Sequence, residues 1–298
     1  MRGFIAQAVA AMPVALLTAF PASADPVFFS TGNVTNSIAT ATRPESTGKF
    51  EIESADDFVL TAPTAITSAT FTGLLTGGAT TANIGEVRVE IYRVFPADSN
   101  VGRTSGPPTF STPQVPTRVN SPSDVEFDDR DTSPPPGNLT FTTKDLGAFS
   151  ALNSVQPGGI HPMSGQTTGG NGPISGEEVE FDVNFSTPFD LPADHYFFVP
   201  QVEITTANGE FLWLSGTRPI VPPGTPFPAG FTDLQSWTRD TFLDPDWLRV
   251  GTDIVGVGTF NEAFTLTGET IVPEPASVAL LGTGLVGLGA LYRRRKKT

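Results

Sequence analysis

The chain contains no cysteine. That excludes disulfides, thiol catalysis and cysteine-based metal centres, so packing alone must hold whatever folds. Histidine is nearly absent too: His161 and His195 are the only two, and no His-x-x-x-His pair or Gly-x-Ser-x-Gly run accompanies them. Charge is sparse at 16 % of residues and one-sided, with 17 Lys plus Arg against 31 Asp plus Glu. Between residues 25 and 275 the imbalance is steeper, 11 cations against 31 carboxylates, a net charge of −20. Such a surface repels nucleic acid and anionic headgroups, so no nucleic-acid partner is expected. Finally, no stretch between the two ends carries a helical period.

What is abundant points to strands. Gly and Pro together make 58 of 298 residues, high for a helical domain. In Glu177 to Phe185, Val179, Phe181, Val183 and Phe185 share one face, while Glu178, Glu180, Asp182 and Asn184 share the other. That is a strand with a buried and a wet side. Glu86 to Phe95 repeats the pattern, with Val87, Val89 and Ile91 opposed to Arg88, Glu90 and Tyr92. Further strands are expected at Lys49–Glu53, Asp57–Thr61, Ser68–Leu75, Leu139–Thr143, His195–Thr205, Glu210–Ser215 and Ala263–Gly268. Asn208-Gly209 reads as a hairpin turn between two of them.

Two long inserts interrupt the strands: Pro96 to Asn138, rich in Pro, Ser, Thr and Asp, and Ser154 to Gly176, rich in Gly. No internal repeat of fixed period is present. The fold class expected is all-β: one antiparallel β-sandwich, jelly-roll-like, spanning 25–272.

The ends differ in kind from this body. Arg2 precedes an apolar run from Phe4 to Phe20, and Ala22-Ser23-Ala24 is a small-x-small cleavage site. Residues 1–24 therefore read as a signal peptide, served by the Sec translocon and signal peptidase, with a mature start at Asp25. At the other end Val272-Pro273-Glu274-Pro275 is followed by an uncharged apolar run, Ala276 to Tyr292, and then Arg293-Arg294-Arg295-Lys296-Lys297. A helix over 276–292 spans about 25 Å, just short of a hydrocarbon core of about 30 Å. The five cations hold its far end in the cytoplasm. Gly282-Thr283-Gly284-Leu285-Val286-Gly287 inside this run fits G-x-G-x-x-G, but the chain ends eleven residues later. There is no βαβ unit to make it a dinucleotide site.

The order Pro273-Glu274-Pro275, Gly/Leu-rich helix, basic terminus resembles the PEP-CTERM sorting signal of Gram-negative bacteria. The same signal is also catalogued as an ice-binding protein C-terminal domain, a name that describes the tail and is no evidence of ice binding. The resemblance implies recognition by exosortase, a membrane transpeptidase-like enzyme, and removal of 273–298 near the Pro-Glu-Pro. It also implies transient anchoring in the inner membrane, then a place at the cell surface or in the extracellular matrix. A second resemblance covers Ser54-Ala55-Asp56-Asp57-Phe58-Val59-Leu60, Ile66 to Gly73, Val87 to Arg93 and the closing Asn261 to Gly268. These segments look like a sandwich domain of bacterial exported proteins, which implies a fold and no activity.

Candidate sites in the body are few. Asp124, Glu126, Asp128, Asp129 and Asp131 concentrate carboxylates in the first insert. Calcium needs several oxygen ligands of this kind, but the EF-hand spacing is missing and a solvated acidic loop is the leading reading. Asp56-Asp57 and Asp244-Pro245-Asp246 are paired carboxylates of the kind glycosidases use, and equally of the kind found at strand ends. Trp237 and Trp247 sit among polar residues and are candidate sugar platforms, against ordinary packing. Phe211-Leu212-Trp213-Leu214, apolar on both faces, reads as core.

No catalytic residues emerge. The leading expectation is a non-enzymatic exported protein without cofactor, associated with exopolysaccharide. The alternative is a carbohydrate-binding module that uses Trp237, Trp247 and calcium. A secreted hydrolase ranks third.

Overall fold

The computed structural model describes residues 25–102, 118–160, 167–220 and 232–272. The expected signal peptide (1–24), sorting motif (Pro273, Glu274, Pro275), apolar helix (276–292), basic cluster (Arg293 to Lys297) and His161 lie outside them. Among the described residues no helix is long and apolar enough to cross a membrane.

The body is all-β. Its strands are β1 (Pro26–Ser30), β2 (Val34–Ala41), β3 (Ile52–Val59), β4 (Thr64–Leu75), β5 (Ile84–Arg93), β6 (Asp128–Asp131) and β7 (Leu139–Ala151). They continue with β8 (Asn153–Val155), β9 (Ile174–Leu191), β10 (His195–Ile204), β11 (Phe211–Gly216), β12 (Trp237–Asp240), β13 (Leu248–Arg249) and β14 (Phe264–Thr270). Helix among the described residues is limited to single turns at 81–83 and 157–159 and a π-helical segment at 250–255.

Two sheets form. The smaller has the order β13-β12-β3-β10-β5-β6. The larger runs β1-β14-β4-β11-β2-β8, with β9 on β4 and β7 on β9. All pairs are antiparallel except β2 with β8. β4 is the spine of the larger sheet. Along one edge β9 accompanies it from Thr64↔Leu191 to Leu75↔Glu177. Its other edge is shared end to end by β14 and β11. At that junction Gly73 is required: a Cβ there would lie 2.3 Å from the Phe211 ring and 2.5 Å from the Leu212 carbonyl oxygen.

The sheets face each other across one aromatic core. Phe71, Phe181, Phe211, Trp213 and Phe264 from the larger sheet meet Phe58, Val89, Ile91 and Phe198 from the smaller. Phe198 stacks on Phe264 with ring centroids 5.0 Å apart and meets Trp213 edge-on at 6.0 Å. The Trp213 indole N–H donates to the Ala263 carbonyl at 2.9 Å, so burying its polar atom leaves nothing unpaired. Val179, Phe181, Val183 and Phe185 are buried, as their alternation required.

Four readings need correction. Lys49–Glu53 and Asp57–Thr61 are not two strands, because β3 runs through the interval between them. Asn208-Gly209 is not a hairpin: β10 pairs with β3 and β5, β11 with β2 and β4, and the turn passes from one sheet to the other. Lys49 holds that turn, its ammonium donating to the carbonyls of Ile204, Thr206 and Gly209 at 2.8, 3.0 and 2.5 Å. The first insert is not all loop, since β6 lies inside it and pairs with β5. Finally, Glu90 and Tyr92 were expected on a wet face. They are buried, because that face of the smaller sheet carries a second apolar layer of Leu234, Trp237 and Trp247 against Ala55, Tyr92, Phe197 and Val199.

Candidate functional site

The covered face of the smaller sheet encloses a cluster of buried charge around Arg239, Glu53 and Glu90. Arg239 on β12 donates to Glu53 Oε1 on β3 and to the Tyr92 hydroxyl on β5, both at 2.9 Å, and also contacts Glu53 Oε2. Tyr92 in turn donates to Glu53 Oε1 at 2.5 Å. Trp247 lies over the guanidinium at 4.3 Å from its ring centroid. Burial disfavours a charge on Glu53, yet Arg239 and its hydrogen bonds hold the carboxyl below its usual value. On Glu90, burial and the neighbouring Glu53 and Glu51 push the other way, well above it. Arg239 also reaches the Asp124 carbonyl at 3.2 Å and the Asp244 carboxylate at 2.9 Å. The cluster thereby ties the segments around 124 and 244 down onto the sheet.

A second buried group surrounds Asp56 and Asp57. Adjacent residues of a strand point to opposite faces, so the two carboxyls cannot act as one pair across a cleft. Asp57 meets His195 Nε2 at 2.6 Å and accepts the Leu234 N–H at 3.2 Å. Burial lifts Asp57 to about 6, with His195 pulling against it. Asp56, on the inner face, accepts the Glu262 N–H at 2.8 Å. Burial and the charges of Asp57 and Glu262 raise its pKa well above the ordinary range. Glu262 is pushed up to about 8 by burial and accepts the Ser236 hydroxyl at 3.0 Å. Ser236 is thus bound to a carboxyl.

The remaining sequence candidates are dispersed. Asp124 is paired with Arg118. Asp128 takes a two-pronged contact from Arg130 at 2.6 and 2.9 Å. Asp131 caps the Ser133 N–H at 3.0 Å, while Glu126 and Asp129 are exposed. Because β6 is a strand, Asp128 and Asp129 face opposite ways, and so do Arg130 and Asp131. Among the described residues no group of three His, Asp or Glu side chains converges as a metal site would require. Asp246 is buried and Asp244 half exposed. Trp237 and Trp247 are both buried at 2 % exposure, so neither offers a ring face to a sugar. The Trp247 indole N–H is spent on the Ser123 carbonyl at 3.1 Å.

The open surface is on the larger sheet, and the sequence reading passed it over as a wet face. Its outward residues line up across five strands. One row is Ser30, Thr265, Thr70, Asp182 and Thr142; the next is Phe28, Thr267, Ser68, Asn184 and Thr140. Thr72, Glu180 and Lys144 make a third. All are hydroxyl, amide or charged side chains except Phe28, which is 71 % exposed. At one end of this face a groove of about 560 Å³ runs from Phe28 over Thr70, Thr72 and Thr265 to Leu146 and Phe149, with Glu178 and Glu180 in its wall. The available signal was alternate Ser and Thr at 68, 70, 72, 265 and 267, beside the acidic side of β9.

The polypeptide ends of the body meet at the edge of this same sheet. β1 pairs with β14 from Pro26↔Glu269 to Ser30↔Thr265. The Asp25 N–H donates to the Thr270 hydroxyl at 2.8 Å, and the Thr270 N–H to the Asp25 carbonyl at 2.8 Å. Directly after this strand the chain enters a recognisable motif. Residues 272–296 match the PEP-CTERM protein-sorting motif. Neither curated proteins nor solved structures give a match to the chain. The PEP-CTERM motif implies an exported protein sorted at the membrane, with exosortase as its processing partner. The body that the PEP-CTERM tail carries is the all-β unit of residues 25–271.

Proposed function

We propose that this is a non-catalytic protein of the cell surface or extracellular polymer layer, associated with exopolysaccharide. In this reading the Sec translocon exports the chain and signal peptidase cuts after Ala24. The helix 276–292 then holds the body at the inner membrane until exosortase cuts near Pro273-Glu274-Pro275. The body is read as a jelly roll. The orders β2-β11-β4-β9 and β3-β10-β5-β6 support that, as does the alternation of β2 to β5 and of β9 to β12 between the sheets.

The observation that carries the polysaccharide role is the uncovered polar face of the larger sheet. It presents hydroxyl and carboxylate groups at strand spacing (about 4.8 Å) on a rigid support, as an extended polyol ligand requires. The non-enzymatic reading is supported by the fate of the buried carboxyls: they bond to Arg239, His195 and backbone N–H groups inside the layers. One experiment addresses both parts. Purified protein is mixed with polymer isolated from the native host and sedimented. Co-sedimentation without new reducing ends supports the proposal. Protein left in the supernatant contradicts the association, and release of reducing ends contradicts the absence of catalysis.

A further inference from the structure

The groove beside Phe28 has a charge as well as a shape. Among the described residues its lining includes Glu178 and Glu180 and no Lys or Arg. Glu178 has no ion-pair partner among the described residues, while Glu180 lies 3.7 Å from the Lys144 ammonium. Lys144 is 65 % exposed, so that pair is weak and a ligand cation can displace it. Phe28 presents its ring to solvent at one end of the groove. An aromatic face there can stack on the apolar face of a pyranose and attract a cationic substituent. Between Phe28 and the two carboxylates the groove floor is lined by Thr70, Thr72 and Thr265, with the Thr70 and Thr265 hydroxyls bonded to each other at 2.5 Å.

We propose that this groove binds a cationic amino-sugar polysaccharide, the Glu178 and Glu180 carboxylates taking the ammonium groups and Phe28 taking a ring face. The inference rests on the polysaccharide reading above and adds the ligand class. Charge complementarity selects it: a polyuronate would meet two carboxylates in the groove and a net charge of −20 on residues 25–275. A neutral glycan would leave Glu178 desolvated without a counter-charge. An ammonium group turns the same contacts into charge-assisted hydrogen bonds.

The test is affinity measurement on the full chain in detergent, with three probes: a β-linked glucosamine hexamer, its fully N-acetylated form and a mannuronate hexamer. Four proteins are compared: the parent, Glu178→Gln with Glu180→Gln, Phe28→Ala, and Glu126→Gln with Asp129→Asn as a remote charge control on the other sheet. Expected is binding of the glucosamine hexamer alone. Affinity should fall about tenfold or more in the first two variants, about 1.4 kcal/mol, and hold in the control. Equal loss in the control would show attraction by net charge only and overturn the site. Tighter binding of the N-acetylated or mannuronate probe would overturn the ligand class while leaving the polysaccharide reading standing. No binding of any probe would overturn this inference, whereas the sedimentation assay with native polymer decides the broader reading separately.

Discussion

The backbone N–H of Glu262 donates to Oδ2 of Asp56 at 2.8 Å, so a carboxyl from β3 anchors the residue that leads into β14. Both side chains are buried, and both are raised above ordinary carboxyl values, Glu262 to about 8. Asp57 next door is raised to about 6. A carboxyl whose folded pKa is raised keeps its proton in the folded state where the unfolded chain has lost it. Stability therefore falls as pH rises through the window from about 4, the unfolded value, to the folded values near 6 and 8. The melting temperature should be higher at pH 5.5 than at pH 8.5. Glu262→Gln should shrink that difference, mainly by raising the value at pH 8.5. A parent protein more stable at pH 8.5 than at 5.5 would contradict the buried, protonated state.

The inter-sheet core gives a sharper contrast between neighbouring residues. Val183 is 1 % exposed and packs in the core, whereas Asp182 lies on the open face between Thr70 and Thr142. Val183→Asp places an unpaired charge between the sheets and should abolish the cooperative unfolding transition. Asp182→Lys should change stability by no more than about 0.5 kcal/mol. Chemical denaturation followed by Trp fluorescence measures both.

Gly73→Ala probes the junction where β14 and β11 share one edge of β4. The added methyl meets the Leu212 carbonyl and the Phe211 ring, and neither can swing clear because both belong to β11. The expected cost is about 1–3 kcal/mol, as for other overpacked sites. A neutral result would mean that β11 and β4 lie further apart than described.

Calcium is expected to have no specific effect. Asp128 is held by Arg130 and Asp124 by Arg118, and the carboxylates of β6 alternate between faces. Calcium and magnesium should shift the melting temperature equally, by screening the net charge of −20 on residues 25–275. A shift of several degrees with calcium alone, abolished by Asp128→Asn with Asp129→Asn, would restore a calcium site.

Much of the fold was legible where one sheet face is buried. The alternation from Val179 to Phe185 located β9, and the two-sided apolar run at Phe211 to Leu214 marked a strand buried on both faces. β2 escaped because Val34 to Ala41 mixes small and polar residues, and β12 because Trp-Thr-Arg-Asp shows no period. Local sequence also cannot tell which sheet a strand joins, which is why Asn208-Gly209 looked like a hairpin. The candidate sites failed for a related reason. Trp237 and Trp247 have polar sequence neighbours, but burial depends on contacts with residues distant in sequence, such as those of Trp247 with Ser123 and Tyr92. The open face was half legible, since the acidic side of β9 was visible, whereas its alignment with Thr70, Thr265 and Phe28 depends on register between distant strands.

An exported β-body delivered by an exosortase-processed tail must lose that tail during maturation. Intact mass and N-terminal sequencing of the protein from its native host test it most directly. Asp25 begins the described body and is bonded to Thr270, two residues before the sorting motif starts. The mature chain should start at Asp25 and lack Arg293 to Thr298, with the tail retained in a host without exosortase. A mature protein that keeps Arg293 to Thr298 in the presence of exosortase would contradict it.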